Sequence, residues 1–167
     1  MDRLFYYDTK IGRLGIREDG ENITNIYFGE PNIDLEIKEN KLVIQESDLI
    51  KKAYIQLKEY MDGQRNEFDL PLNPKGTEFQ KKVWVELSKI PYGETRSYKD
   101  IAIAIGNKKA SRAVGMANNK NPIPIVVPCH RVVGSNKKLV GYAGGLDLKE
   151  KLLNIEGIFI EKNKVSK

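Results

Sequence analysis

Cysteine and histidine each occur once in this 167-residue chain, and they are neighbours, Cys129 and His130. The thiolate is the reactive form of cysteine, and a nearby imidazole is a common base for making it. The pair thus offers one nucleophile and one base. Taken singly, a lone cysteine usually behaves as a small buried hydrophobe, and a lone histidine is more often structural than catalytic. The residues before the pair, Ile123-Pro124-Ile125-Val126-Val127-Pro128, read as a buried strand. A nucleophile at the end of a rigid element is well aimed. Neighbours on a strand point to opposite faces, so a bend or a bridging water has to connect thiol and ring.

Composition narrows the class. Hydrophobic residues make up 40% and charged residues 31% of the chain, the balance of a soluble globular protein. No apolar stretch approaches the roughly 20 residues that span a bilayer, and the N-terminus shows no signal-peptide core. One cysteine allows no internal disulfide, which fits a reducing, cytoplasmic location. A Cys/His zinc site needs four ligands, and only two candidates exist. The net charge of +5 is unevenly spread. Residues 1–70 hold 10 Lys/Arg against 15 Asp/Glu, a balance of −5, and residues 71–167 hold 18 against 8, a balance of +10. That split implies two modules, the basic one facing a polyanion.

The elements that must position the pair follow from local patterns. Leu4–Tyr7, Leu14–Ile16 and Ile23–Phe28 read as a small antiparallel sheet, with turns at Lys10-Ile11-Gly12 and Asp19-Gly20-Glu21-Asn22. Ser47 caps a helix to about Met61, whose apolar face is Leu49, Ile50, Ala53, Tyr54, Leu57 and Met61, and Gly63 ends it. The expected division is a scaffold domain over 1–70, a proline-rich linker over 71–76 and a second domain over 77–167. In the second, Thr77 starts a helix bearing Phe79, Val83, Trp84 and Leu87, which Ile90-Pro91-Tyr92-Gly93 breaks. Ser97 caps a short helix over Tyr98–Ile105, and after Gly106 another runs over Ala110–Asn119. Two short helices about a glycine-containing turn form a helix-turn-helix pattern. The second is made largely of small residues, with Arg112 its only charge, so its backbone can enter a groove closely.

In order along the chain come Phe79-Gln80, Val83-Trp84, Ile90-Pro91-Tyr92-Gly93-Glu94-Thr95 and Ser97-Tyr98, then Arg112-Ala113-Val114-Gly115 and Asn121-Pro122. Pro128-Cys129-His130-Arg131-Val132, Gly141-Tyr142-Ala143-Gly144-Gly145 and Glu156-Gly157 follow. This series resembles the O6-alkylguanine-DNA alkyltransferases, closely over about residues 75–157 and only in layout before that. The resemblance implies an α/β N-terminal ribonuclease-H-like domain followed by an all-helical, winged-helix-like DNA-binding domain with a helix-turn-helix. It implies single-use, irreversible transfer of an alkyl group from O6-alkylguanine, and by extension O4-alkylthymine, in duplex DNA to the protein's own cysteine. It also implies a monomer that flips the base from the minor groove, with no cofactor, no metal and no membrane partner.

By the same resemblance Cys129 is the acceptor, His130 the base acting through a water, and Glu156 the group that orients it. Asn121 braces the segment, Tyr98 serves the purine N3, and Arg112 fills the space of the extruded base. Ser111, Ala113, Gly115, Met116 and Ala117, with Thr95 and Ser97, are the further DNA-binding candidates. Pro128, Val132, Met116, Tyr142, Ala143 and Gly144 line the lesion pocket, with the Cys129 and Val132 carbonyls accepting from the guanine amino group.

Some positions depart from the family pattern. Lys108 replaces a proline in the helix-turn-helix turn, which predicts a looser turn; Lys137 stands where glycine is common, and Ala143 replaces a serine. Three other readings compete: a lesion-binding relative without chemistry, a helix-turn-helix regulator sensing through Cys129, and a cysteine hydrolase. The first lacks the cysteine that is present here, the second lacks a dimerisation segment, and the third leaves the helix-turn-helix unexplained.

Overall fold

The computed structural model describes residues 1–166 and divides the chain into two compact units, Met1–Lys75 and the part from Gly76 onward. In the first unit, β1 (Asp2–Thr9), β2 (Gly12–Glu18) and β3 (Ile23–Phe28) form an antiparallel meander. Its Asp19 carboxylate accepts from the Glu21 and Asn22 amides, which closes the β2–β3 turn. A short helix α1 (Asp34–Lys38) leads to β4 (Leu42–Ile44), which pairs parallel with β1, so the sheet order is β3-β2-β1-β4. The expected sheet lacked this parallel edge, because three residues are too few to show a period. Helix α2 (Asp48–Met61) is capped by Ser47, whose hydroxyl accepts from the Ile50 amide. Ile50, Ala53, Leu57, Tyr60 and Met61 bury its inner face, while Tyr54 lies half-buried, stacked on Tyr7. The stretch expected as a linker is partly bound: Ile23 exchanges backbone hydrogen bonds with Pro71 and Asn73 along the β3 edge.

The second unit begins with α3 (Glu78–Leu87), held at its start by a reciprocal cap between Thr77 and Gln80. A two-residue strand β5 (Arg96–Ser97) runs into α4 (Tyr98–Ala104), where Ser97 and Asp100 cap each other in the same way. Helix α5 (Ser111–Asn119) follows. The turn between α4 and α5 is closed by the Asn107 amide on the Ala102 carbonyl and the Ala110 amide on the Asn107 carbonyl, so Lys108 sits in an intact turn. Val83, Trp84, Leu87, Ile101, Ala102 and Val114 are buried. The Trp84 indole donates to the Ala117 carbonyl at 2.9 Å and so pins α3 to α5.

This unit is not all-helical. Strand β5 pairs parallel with β6 (Val132–Val133), and beyond α6 (Leu146–Ile155) a hairpin joins β7 (Ile160–Glu161) to β8 (Lys164–Val165). Two-residue strands carry no readable alternation; they form because the backbone there has a partner. The β5–β6 pairing matters most, since it puts Tyr98 at the start of α4 beside the chain that has just left Cys129.

The expected strand over 123–128 is also absent. Pro124 and Pro128 lack the amide a ladder needs, and Ile125 takes a left-handed backbone with φ 74°. The segment instead folds on itself: the Val127 amide bonds the Ile123 carbonyl, and Asn121 supplies both sides of the missing ladder. Its Nδ2 donates to the Val127 carbonyl at 2.8 Å and its Oδ1 accepts from the Ile123 amide at 3.0 Å.

Candidate active site

Cys129 opens a one-turn 3-10 helix, Cys129–Arg131. In such a turn successive side chains diverge by about 120°, so Cys129 and His130 leave the backbone in different directions within one rigid step. Cys129 is 4% exposed, and His130 is fully buried. His130 Nε2 meets Glu156 Oε2 at 2.6 Å. The other oxygen, Oε1, accepts from Arg131 Nε at 2.8 Å and from the Gly93 amide at 2.9 Å. Glu156 stands at the C-terminal end of α6, so one carboxylate gathers the acceptor turn, that helix end and the loop before β5. Gly93 has φ +80°, a conformation that favours glycine and that presents its amide to the carboxylate. Ile90 and Tyr92 complete the clasp: Arg131 Nη1 donates to the Ile90 carbonyl, and the Tyr92 hydroxyl donates to the Ile155 carbonyl.

Charge is allotted clearly. Burial alone would raise the Glu156 carboxyl, but hydrogen bonds from His130 and Arg131 win and hold it at about 2. Burial pushes His130 down, against the pull of Glu156. Arg131 therefore carries the positive charge that balances Glu156, and the imidazole stays neutral. A neutral ring that donates from Nε2 has Nδ1 as its basic nitrogen. Burial pushes the Cys129 thiol up, while hydrogen bonds from Asn121 and Tyr142 and the Lys149 charge pull it down.

A pH dependence of stability follows, and both signs agree. A group depressed in the folded state stabilises it above its unfolded pKa and loses that contribution as pH falls to the folded value. For Glu156 the window runs from the ordinary carboxyl value of 4.5 down to about 2, and a shift of that size is worth roughly 3 kcal/mol. For His130 the loss begins below 6.5, the ordinary value of an imidazole. Urea unfolding of the wild type should weaken from pH 6.5 downward and steeply below 4.5. Glu156→Gln should flatten the lower part of that curve; an unchanged slope in the variant would contradict the assignment.

The remaining candidates fall into two groups. Tyr98 is half-buried; its hydroxyl donates to the Val140 carbonyl at 2.9 Å, and burial raises it to about 12. Pro128 and Val132 are buried beside the acceptor, Tyr142 and Gly144 are half-buried, and Ala143 is exposed. On α5, Arg112, Ala113 and Met116 are exposed, and Ser111 and Gly115 are half-buried. Ala117 turns inward at 2% exposure, so its side chain offers no surface contact. Thr95 and Ser97 are half-buried at β5, with the Ser97 hydroxyl engaged as the α4 cap.

Four contributors were missed by sequence reasoning: Gly93, Arg131, Asn118 and Lys149. Arg131 and Gly93 lie within quoted motifs but were given no role. Asn118 is 1% exposed and donates from Nδ2 to the Cys129 carbonyl at 3.3 Å. Lys149 is fully buried, and its Nζ donates to the carbonyls of Val132 at 2.6 Å, Val140 at 3.0 Å and Gly141 at 3.5 Å. One lysine among 18 basic residues of the C-terminal half gives no sequence signal that it is inside.

Comparison with known proteins identifies the family of both units. Residues 3–74 match the ribonuclease-like domain of 6-O-methylguanine DNA methyltransferase, and residues 78–158 match the DNA binding domain of the same family. The chain is similar to the methylated-DNA–protein-cysteine methyltransferase of Methanosarcina acetivorans, 48% identical over 90% of this chain and 96% of that protein. It is equally similar to the constitutive methylated-DNA–protein-cysteine methyltransferase of Bacillus subtilis, at 48% over 90% and 93%. Among solved structures, Mycobacterium tuberculosis OGT in complex with DNA superposes with a TM-score of 0.84 at 42% identity, covering 92% of each chain.

Proposed function

The chain belongs to the 6-O-methylguanine DNA methyltransferase family, and from that premise we propose that it repairs DNA by moving an alkyl group from O6 of guanine in a duplex onto Cys129. The observation that carries this reading is the buried Cys129-His130 turn tied to Glu156. His130 takes the thiol proton at Nδ1 through a bridging water, while Glu156 fixes the ring and Arg131 keeps Glu156 ionised. The sulfur attacks the alkyl carbon; the S–C bond forms as the C–O6 bond breaks, and its electron pair goes to the guanine. Tyr98 supplies a proton at the purine N3, general acid help typically worth about 10²–10⁴-fold. The atoms balance without a cofactor or metal. The product is a thioether, which water cannot hydrolyse, so each molecule acts once.

A guanine inside a duplex is out of reach, so it must be flipped out at a cost of a few kcal/mol. Helix α5 supports that step from the minor groove. Its small residues Ser111, Ala113 and Gly115 allow close approach, Arg112 fills the vacated stack, and exposed Met116 lies one turn further on. Thr95 and Ser97 flank the groove; Tyr142, Ala143 and Gly144 cover the lesion, and Asn121 braces the acceptor loop. O4-alkylthymine fits the same chemistry. The helix-turn-helix of α4 and α5 with the short β-ladders supports a winged-helix-like module, acting as a monomer on double-stranded DNA in the cytoplasm. No helix of the described residues is long and apolar enough to cross a membrane.

Intact-mass and peptide spectra after incubation with an O6-methylguanine duplex test the reading. The expected result is one added CH2 located on Cys129. Tight lesion binding with no mass change would point instead to a recognition protein without chemistry.

A further inference from the structure

One exposed surface of the second unit has no part in the reaction as written. Residues 134–139 turn back on themselves, with the Gly134 amide on the Lys138 carbonyl at 2.9 Å and the Lys137 amide on the Gly134 carbonyl at 2.8 Å. The β7–β8 hairpin, which lies past the residues 78–158 that match the family's DNA binding domain, pairs with this turn. The Leu139 amide donates to the Asn163 carbonyl and the Val165 amide to the Lys137 carbonyl, both at 2.9 Å. Lys138 and Lys164 therefore stand directly opposite each other as an antiparallel pair. Leu139 and Val165 face inward, in one cluster with Val133, Leu153 and Ile158. Alternation along a strand then turns Lys138 and Lys164 outward together, and both are exposed. Lys137 and Lys162, exposed at the two turns beside them, bring this surface to four lysines against one carboxylate, Glu161.

The arrangement is unfavourable without a counter-anion. The flanking hydrogen bonds make Lys138 and Lys164 a non-hydrogen-bonded pair, the kind whose Cα atoms lie about 4.5 Å apart. Like charges opposed in this way destabilise a sheet. Glu161 opposes Lys164 across the hairpin, yet among the described residues none of the four lysines forms an ion pair. Solubility alone would be served as well by lysines set apart. The pair is also close to the helix proposed to enter DNA. Gly141 lies three residues on from Lys138, at most about 10 Å of chain. A β-carbon at Gly141 would lie 3.3 Å from Nδ2 of Asn119, the last residue of α5. A duplex seated on α5 thus brings its backbone past this surface. We propose that residues 134–139 and the β7–β8 hairpin form a second DNA contact, in which Lys138 and Lys164 bind adjacent backbone phosphates of the duplex, outside the lesion pocket. The phosphates supply the missing counter-charge, and the contact reads no base. It rests on the DNA-repair reading for the identity of the polyanion.

The test is the salt dependence of binding to an undamaged duplex, followed by fluorescence anisotropy over about 50–200 mM NaCl. Each phosphate contact contributes about 0.9 to the slope of log affinity against log salt. Lys138→Gln combined with Lys164→Gln should therefore flatten the slope by about 1.8 and weaken binding by roughly tenfold at about 100 mM NaCl. Lys138→Arg with Lys164→Arg should keep the wild-type slope. Lys51→Gln with Lys52→Gln, which removes the same net charge from the exposed face of α2, should keep it too. An unchanged slope in the glutamine pair at 138 and 164 overturns the proposal. Equal flattening by the pair at 51 and 52 also overturns it, since overall charge would then be all that counts. Methyl transfer from the free O6-methylguanine base, which has no phosphate to hold, should run at the wild-type rate in every variant. A loss of that reaction in the 138 and 164 glutamine pair would show that the surface supports the acceptor site instead, and would likewise overturn the proposal. No transfer to Cys129 even in the wild type would sink the alkyl-transfer reading, while the salt slopes would still decide the second contact.

Discussion

Cys129→Ala is expected to abolish methyl transfer completely while leaving affinity for duplex DNA within a few fold. The reaction needs a polarisable nucleophile in line with the C–O6 bond, and the chain has no second cysteine to take over. Removing one buried sulfur leaves the Glu156 cluster intact, because none of its hydrogen bonds involves the thiol. Affinity should survive because phosphate contacts from lysine and arginine supply most of it. Fluorescence anisotropy with lesion and control duplexes measures binding, and mass spectrometry measures transfer. Methyl transfer to another residue of the alanine variant would refute the assignment of the acceptor. A large loss of affinity would mean that the thiol side of the pocket, rather than α5, dominates binding.

The second large effect belongs to a residue outside the chemistry. Arg131→Met should destabilise the C-terminal unit by about 3–5 kcal/mol, the usual cost of stranding one member of a buried ion pair. The substitution removes the Nε contact to Glu156 and the Nη1 contact to the Ile90 carbonyl together. Glu156 would then face His130 without a balancing cation, and its carboxyl would climb towards protonation. Adding Glu156→Gln to Arg131→Met should recover part of the loss, since no lone charge remains in the interior. Urea unfolding at neutral pH compares the three proteins. A single-variant loss below about 1 kcal/mol would show that water reaches Glu156 and that the cluster is not truly dry.

Capped helices and the reactive pair were the most legible parts of this chain. Ser47, Thr77 and Ser97 mark helix starts through side-chain chemistry confined to four residues, and each caps as expected. What escaped depended on partners far away in sequence. Strand β6 is two residues long and exists because β5 lies beside it, 36 positions earlier by the pairing of Arg96 with Val132. The apolar run before Cys129 looked like a strand because its hydrophobicity is real; two prolines and an asparagine amide decide its path instead. Lys149 was invisible because a lysine's pattern value is the same inside and outside a protein. His130 and Glu156 are 26 residues apart, and only the family resemblance joined them in advance.

The Tyr98 hydroxyl is already spent on the Val140 carbonyl before any base arrives. On the proposed reading, each base that enters must take this donor from the Val140 carbonyl, giving up a hydrogen bond with a net value of about 0.5–1.5 kcal/mol. A protein that inspects long stretches of undamaged DNA meets that toll at every false stop. The toll is small against the gain from a true lesion but large enough to shorten each fruitless visit, by about two- to tenfold on that energy. One tyrosine thus also sets how long the molecule lingers at a normal guanine, and so how quickly it can survey a genome.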